Sequence, residues 1–223
     1  MTSVPFSSGE VDPYRHGPRA EPYRGPDAPG HGGGGAAPKR VVVAYGFWIF
    51  LLSDIVAFSC LFASYAVLVN ATAGGPSGHD IFSRGSVAIE TACLLASSFT
   101  CGLASLAMEA RSKLWFYVAM AVTCLLGLGF LFLEANEFIG LISQGYGPSR
   151  SAFLTSFFTL VGCHGLHVSV GILWLLTMMA QVFAKGFRPD IERRVFCFAL
   201  FWHTLDIIWV AIFSLVYLMG VVS

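Results

Sequence analysis

The chain has 223 residues, 56% of them hydrophobic and 12% charged, with a mean hydropathy of +0.70 and a formal net charge of zero. Soluble domains carry about a quarter charged residues, so this composition excludes an ordinary cytosolic domain. With no basic surplus, nothing points to nucleic acid. Six cysteines (Cys60, Cys93, Cys101, Cys124, Cys163 and Cys197) all fall in apolar stretches. None has CxxC spacing, so they read as small buried hydrophobes rather than zinc ligands or a disulfide framework.

Residues 1–40 differ from the rest, holding seven of the ten prolines and eight glycines. Such a segment buries too little apolar surface to offset its chain entropy and is expected to be a disordered tail. It contains no apolar run of the signal-peptide kind. Five long apolar runs follow, at Val41–Asn70, Val87–Met108, Leu114–Phe138, Ala152–Ala184 and Val195–Val222. Crossing the hydrocarbon core takes about 20 helical residues, and each run is long enough. The alternation of a barrel strand is missing. The expected fold is therefore all-α, a bundle of five transmembrane helices over residues 41–223.

All thirteen Lys and Arg residues lie in the tail or the loops. The tail carries Arg15, Arg19, Arg24, Lys39 and Arg40, the second loop Arg111 and Lys113, and the fourth Lys185, Arg188, Arg193 and Arg194. Only Arg84 and Arg150 fall on the opposite side. The positive-inside rule then predicts a cytoplasmic N-terminus and a periplasmic C-terminus.

Ionisable residues within the spans are costly and are functional candidates by default. Here they are Asp54, Glu90, Glu134, Glu137, His164, His167, His203 and Asp206. Glu134/Glu137, His164/His167 and His203/Asp206 have i, i+3 spacing, so each pair shares a helix face. At 1.5 Å per residue, Asp54 lies roughly 16 Å from the cytoplasmic end of its helix, and His203 and Asp206 about 12–17 Å from the same side. His164 and His167 also fall near mid-membrane, so depth allows these five to meet. Glu90, Glu134 and Glu137 are expected to cluster towards the outer surface, within reach of water. With no cation at its depth, Asp54 is expected to be held by a hydrogen bond to a histidine or a lipid. A proton relay or a lipid or quinol site is the functional reading of the set. The plainer alternative is interhelical hydrogen bonding, worth about 1 kcal/mol or less per group. Three membrane histidines are too few for a copper–haem centre. Small-residue stripes (Thr155, Thr159, Cys163, His167 and Gly171; Ser53, Ala57, Cys60 and Ser64) are expected to be packed faces, and the twenty phenylalanines to face lipid or subunits.

Four segments carry a resemblance: YGFWIFLLSD (Tyr45–Asp54), FLFLEANEF (Phe130–Phe138), TLVGCHGLHVSVG (Thr159–Gly171) and FWHTLDIIWV (Phe201–Val210). They resemble subunit III of haem–copper terminal oxidases over residues 40–223. The stretches Tyr65–Phe82 and Gly147–Phe158 look like the branch found in bo-type ubiquinol oxidases. The resemblance implies an accessory, redox-inactive subunit of a proton-pumping quinol oxidase in a bacterial inner membrane. Haems and copper would reside in subunit I, with subunits II and IV as further partners. Five helices would pack beside subunit I around a V-shaped cleft holding bound phospholipid. It also implies that Asp54, Glu134, Glu137, His164, His167, His203 and Asp206 are core positions rather than catalytic ones. Many relatives have Glu at the position of Asp54. Subunit III of a cytochrome c oxidase is the alternative within the family, and a stand-alone proton channel or transporter the alternative outside it. Against a transporter stand the missing repeat and the missing broken-helix pair.

Overall fold

The computed structural model describes residues 39–74 and 84–218. The segment expected to be a tail falls, up to residue 38, outside the described residues, as does most of the Gly74–Gly78 turn. Five helices are present: α1 (Lys39–Leu68), α2 (Arg84–Glu109), α3 (Lys113–Ser143), α4 (Ala152–Lys185) and α5 (Pro189–Ile212). All five are long and apolar enough to cross a membrane. The last continues as a π-helical stretch, Phe213–Leu218.

Helix ends follow local chemistry. Ser151 caps α4 by accepting the Leu154 N–H at 3.2 Å. Gly186, at φ +68°, closes its other end with an N–H to the Val182 carbonyl at 2.8 Å. Helix α5 starts six residues before the apolar run, because Pro189 sits in its first turn and Asp190 and Glu192 complement its positive end. The α2–α3 turn is tight, with Arg111 at φ +57° and the Ser112 N–H bonded to the Ala107 carbonyl.

Helices α2 to α5 form a closed ring of neighbours, α2 on α3, α3 on α4, α4 on α5 and α5 on α2. Helix α1 lies chiefly against α4 and α5. Its buried side chains Leu51, Phe58 and Tyr65 are seven residues apart, so only a narrow seam is covered. The α2–α3 pairing is the most extensive, and burial explains why. On α2, residues 87, 90, 94, 97, 101, 104 and 108 are buried, and on α3 residues 116, 120, 123, 127, 130, 134 and 141. Both sets follow the alternating three-and-four spacing of a knobs-into-holes seam.

Three packing expectations are corrected. The buried face of α4 runs through Phe157, Leu160, His164, Val168, Gly171 and Leu175, whereas Thr155 and Thr159 are exposed. Their hydroxyls bond backbone carbonyls of the same chain segment instead. The α1 stripe Ser53, Ala57, Cys60 and Ser64 is open within this chain. Seven phenylalanines (Phe58, Phe116, Phe130, Phe153, Phe157, Phe198 and Phe201) are buried rather than outward. Of the six cysteines, all unbridged, only Cys101 and Cys197 are buried and Cys60 is exposed. Thiols and small hydroxyls are tolerated in lipid once internally bonded, so small size alone did not mark the packed face.

Candidate functional site: buried polar groups between the helices

The ionisable residues fall into separate groups set by the seams. On the α2–α5 seam, His203 Nδ1 and Ser98 Oγ share a hydrogen bond at 2.7 Å, and Asp206 lies within electrostatic reach of both. The same seam is held by two tryptophans seven residues apart. Trp202 Nε1 donates to Ser97 Oγ and Trp209 Nε1 to Thr91 Oγ1, each at 3.1 Å. The FWHTLDIIWV segment is thus an interhelical clamp: its His, Asp and both Trp side chains address hydroxyls of α2. Trp202 is seated in a notch of small residues. A Cβ on Gly171 would come within 2.8 Å of its ring, and one on Gly127 within 3.1 Å.

At the bundle centre, His164 of α4 is fully buried, and neither ring nitrogen has a hydrogen-bond partner. Phe58 of α1, Phe130 of α3 and Trp209 of α5 surround it, with ring centroids at 6.4, 5.7 and 5.2 Å. One turn along, His167 Nδ1 bonds the Cys163 carbonyl oxygen at 2.7 Å. Asp54 is half-buried on the same α1–α4 seam, within electrostatic reach of Cys163. The five mid-membrane residues therefore do not meet at one point. Asp54, His164 and His167 share the α1–α4 region, and His203 and Asp206 belong to α2–α5. Among the described residues no histidine is hydrogen-bonded to Asp54: His167 and His203 direct Nδ1 to a backbone carbonyl and to Ser98.

The three glutamates form the remaining group, close enough to interact electrostatically with one another and with Tyr217. Glu90 and Glu134 occupy facing seam positions of α2 and α3 and are buried, at 0% and 5% exposure. Among the described residues, Oε2 of Glu134 and the Tyr65 hydroxyl have no hydrogen-bond partner, and Glu90 lies beside the Ser86 side chain. Glu134 fits because position 165 is glycine: a Cβ there would stand 2.5 Å from its Oε1. Glu137 borders an open cleft of about 330 Å3, shared with Ser86, Asn136 and Gln144. Of the three glutamates expected towards the outer surface within reach of water, Glu90 and Glu134 are buried in the bundle and Glu137 is half-buried beside a cleft. Among the described residues no Lys or Arg interacts with them, so the group is suited to hydrogen bonding with water or holding protons.

Sequence reasoning missed Tyr65, Thr91, Ser97, Ser98, Trp202 and Trp209 as site residues. The signal was present in the three-and-four spacing of α2, which places Glu90 and Ser97 on one buried line. Among the described residues there is no group of three or more His, Cys, Asp or Glu side chains arranged to hold a metal ion.

Comparison with known proteins agrees with this arrangement. Residues 32–221 match the family described as cytochrome c oxidase subunit III. The chain is 54% identical over 176 residues to the cytochrome bo(3) ubiquinol oxidase subunit 3 of Pseudomonas aeruginosa, covering 79% of this chain and 84% of that one. It is 45% identical to the quinol oxidase subunit 3 of Bacillus subtilis, covering 78% and 86%. It is 41% identical to the cytochrome c oxidase subunit 3 of Bacillus sp. strain PS3, covering 84% and 94%. The five spans, the HGLHV segment around His164 and the clamp of α5 on α2 are therefore those of a multi-pass membrane protein, and the chain belongs to the cytochrome c oxidase subunit III family.

Proposed function

We propose that the chain is the accessory, redox-inactive subunit III of a bo-type ubiquinol oxidase in a bacterial inner membrane. Subunit I would carry the haems and copper, and subunits II and IV would complete the complex. The observation that carries the reading is 54% identity to a relative named as that subunit. The side chains agree with it in chemistry. The nitrogens of His167 and His203 that face protein serve helix contacts, and His164 is walled in by aromatic rings.

In this reading the ring α2–α5 is a rigid brace. Helix α1, open along Ser53, Ala57, Cys60 and Ser64, presents a small-residue face on which a partner helix can approach closely. The α1–α4 seam around Asp54 and His167 would border the lipid-holding cleft. His203 and Asp206 fix the register of α5 on α2 through Ser98, and the three glutamates, with water, buffer protons beside the catalytic subunit. The N-terminus is cytoplasmic and the C-terminus periplasmic, by the distribution of basic residues.

The test is an affinity tag on this chain. Solubilised membranes should yield a haem-bearing complex that oxidises ubiquinol and not reduced cytochrome c. Retrieval of the chain without haem-bearing partners, or of a cytochrome c oxidising complex, overturns the assignment.

A further inference from the structure

We propose that the half of the bundle nearest the 144–151 turn binds a chain of water molecules, open to the aqueous phase at the Glu137 cleft and closed at mid-membrane, that joins Glu90 and Glu134 to that phase. The proposal rests on the reading of the three glutamates as a proton store and supplies its route. Glu137 and Ser86 line the cleft. The Ser86 side chain lies within hydrogen-bonding reach of Glu90. Glu90 and Glu134 interact with each other and with Tyr217, and Tyr65 of α1 is within electrostatic reach of Tyr217.

Chemistry selects water as the occupant. Glu134 Oε2 and the Tyr65 hydroxyl are buried, in residues 5% and 4% exposed, and among the described residues neither has a hydrogen-bond partner. A carboxylate oxygen needs a donor and a phenolic O–H an acceptor. Water is both. An alkyl chain is neither, and a metal cation would leave the phenolic proton unmet. Depth and volume agree. From Gln144, at the mouth, to Glu134, α3 spans about 15 Å, half of the roughly 30 Å hydrocarbon core. About five waters at a spacing of about 2.8 Å cover that distance. The cleft of about 330 Å3 has room for on the order of ten, at roughly 30 Å3 each.

Rings shut the inner end. One turn deeper along α3 than Glu134, Phe130 is fully buried and packs on Trp209 with ring centroids 4.6 Å apart. The one donor of Trp209, its Nε1–H, is already given to Thr91 Oγ1, so neither ring offers a water a partner. Phe130 and Trp209 are also two walls of the box around His164, and the plug keeps that histidine dry. The chain of water is therefore a store reached from one side, not a path across the membrane. When a proton enters, an O–H bond forms on a carboxylate oxygen of Glu137 as one on a cleft water breaks. Each later hop likewise makes one O–H bond and breaks one, and nothing else is consumed.

The test uses the whole complex retrieved with the tagged chain, in nanodiscs, mixed with water enriched in the heavy oxygen isotope and then exposed to a short X-ray pulse. Hydroxyl radicals formed from bound water oxidise the side chains beside it, and mass spectrometry reads both the site and the isotope. Tyr65 should be oxidised severalfold faster than Phe58, which is as deeply buried on the same helix, and should carry heavy oxygen. Phe130 and Trp209 should stay unmarked. Gly140→Trp, at a cleft position where a Cβ meets no atom within 4 Å, should slow the arrival of heavy oxygen at Tyr65 severalfold. Should this variant fail to assemble, the wild-type contrast decides. Oxidation of Tyr65 no faster than that of Phe58, ordinary oxygen alone at Tyr65, marking of Phe130 and Trp209 to the level of Tyr65, or unaltered exchange in an assembled Gly140→Trp complex overturns the proposal. If the tag retrieves other partners while Tyr65 is marked, the oxidase assignment fails and the water chain stands. An unmarked Tyr65 in a haem-bearing ubiquinol oxidase removes the water chain alone.

Discussion

Glycine at position 165 and glutamate at 134 form a matched pair. A side chain at 165 and the carboxylate at 134 cannot occupy the same place, since the approach would be 2.5 Å. Gly165→Ala is expected to destabilise the subunit by about 1–3 kcal/mol, the usual range for overpacking. Glu134→Ala in the same chain should relieve much of it, giving a coupling of about 1 kcal/mol or more in a double-mutant cycle. Thermal release of the subunit from the oxidase measures this. Additive losses would show that Glu134 does not fill the space. Glu90 gives a second test at this scale. It is fully buried, with the Ser86 side chain within hydrogen-bonding reach, so Glu90→Gln should leave assembly intact. Glu90→Lys should abolish it, because a cation fixed at that depth cannot reach the surface. Pull-down of the haem-bearing subunits with the variant chain reads both. Equal assembly of the two would mean that the site solvates a fixed cation as bulk water does.

Between elements, the clamp of α5 on α2 is the decisive contact. Trp202→Phe keeps an aromatic ring on α5 but removes the donor to Ser97 and the outer ring carbons that meet Gly127 and Gly171, with an expected loss of about 1–3 kcal/mol. Trp202→Ala empties the notch as well, and the expected loss rises to about 3–5 kcal/mol. Denaturation of the purified complex at increasing temperature, followed by the fraction of subunit retained, separates the two. Equal losses would assign the energy to the hydrogen bond alone. The five spans were legible in the sequence because apolar length is a property of composition. The burial of Glu90 and Glu134 was not, although the spacing of residues 87 to 108 held it, because a carboxylate in an apolar run reads as exposed until its seam is identified. The Thr155 and Thr159 end of the α4 stripe was misread for a related reason. Hydroxyls that bond their own helix backbone can face outward, so polarity does not tell inside from outside in a span. Nor did composition show how little of α1 is covered, since every span is apolar on all sides and only packing separates lipid face from core.

For the whole molecule, the basic residues predict that the turn at residues 110–112 and the α4–α5 turn share the side of the N-terminus, and that the 144–151 turn lies opposite. In cells with an intact inner membrane and a permeable outer one, a membrane-impermeant maleimide should label Ser149→Cys directly and Ser112→Cys only after lysis. The reverse pattern would invert the topology. The central claim is that a bundle with no electron carrier of its own braces a partner that reduces dioxygen. The most direct measurement is the haem content of the oxidase, per catalytic subunit, with and without this chain. The account predicts the same haem complement in both preparations, with the preparation lacking the chain losing activity faster during turnover. A complement that falls by one haem for each copy removed would place a redox centre in this polypeptide and contradict the account.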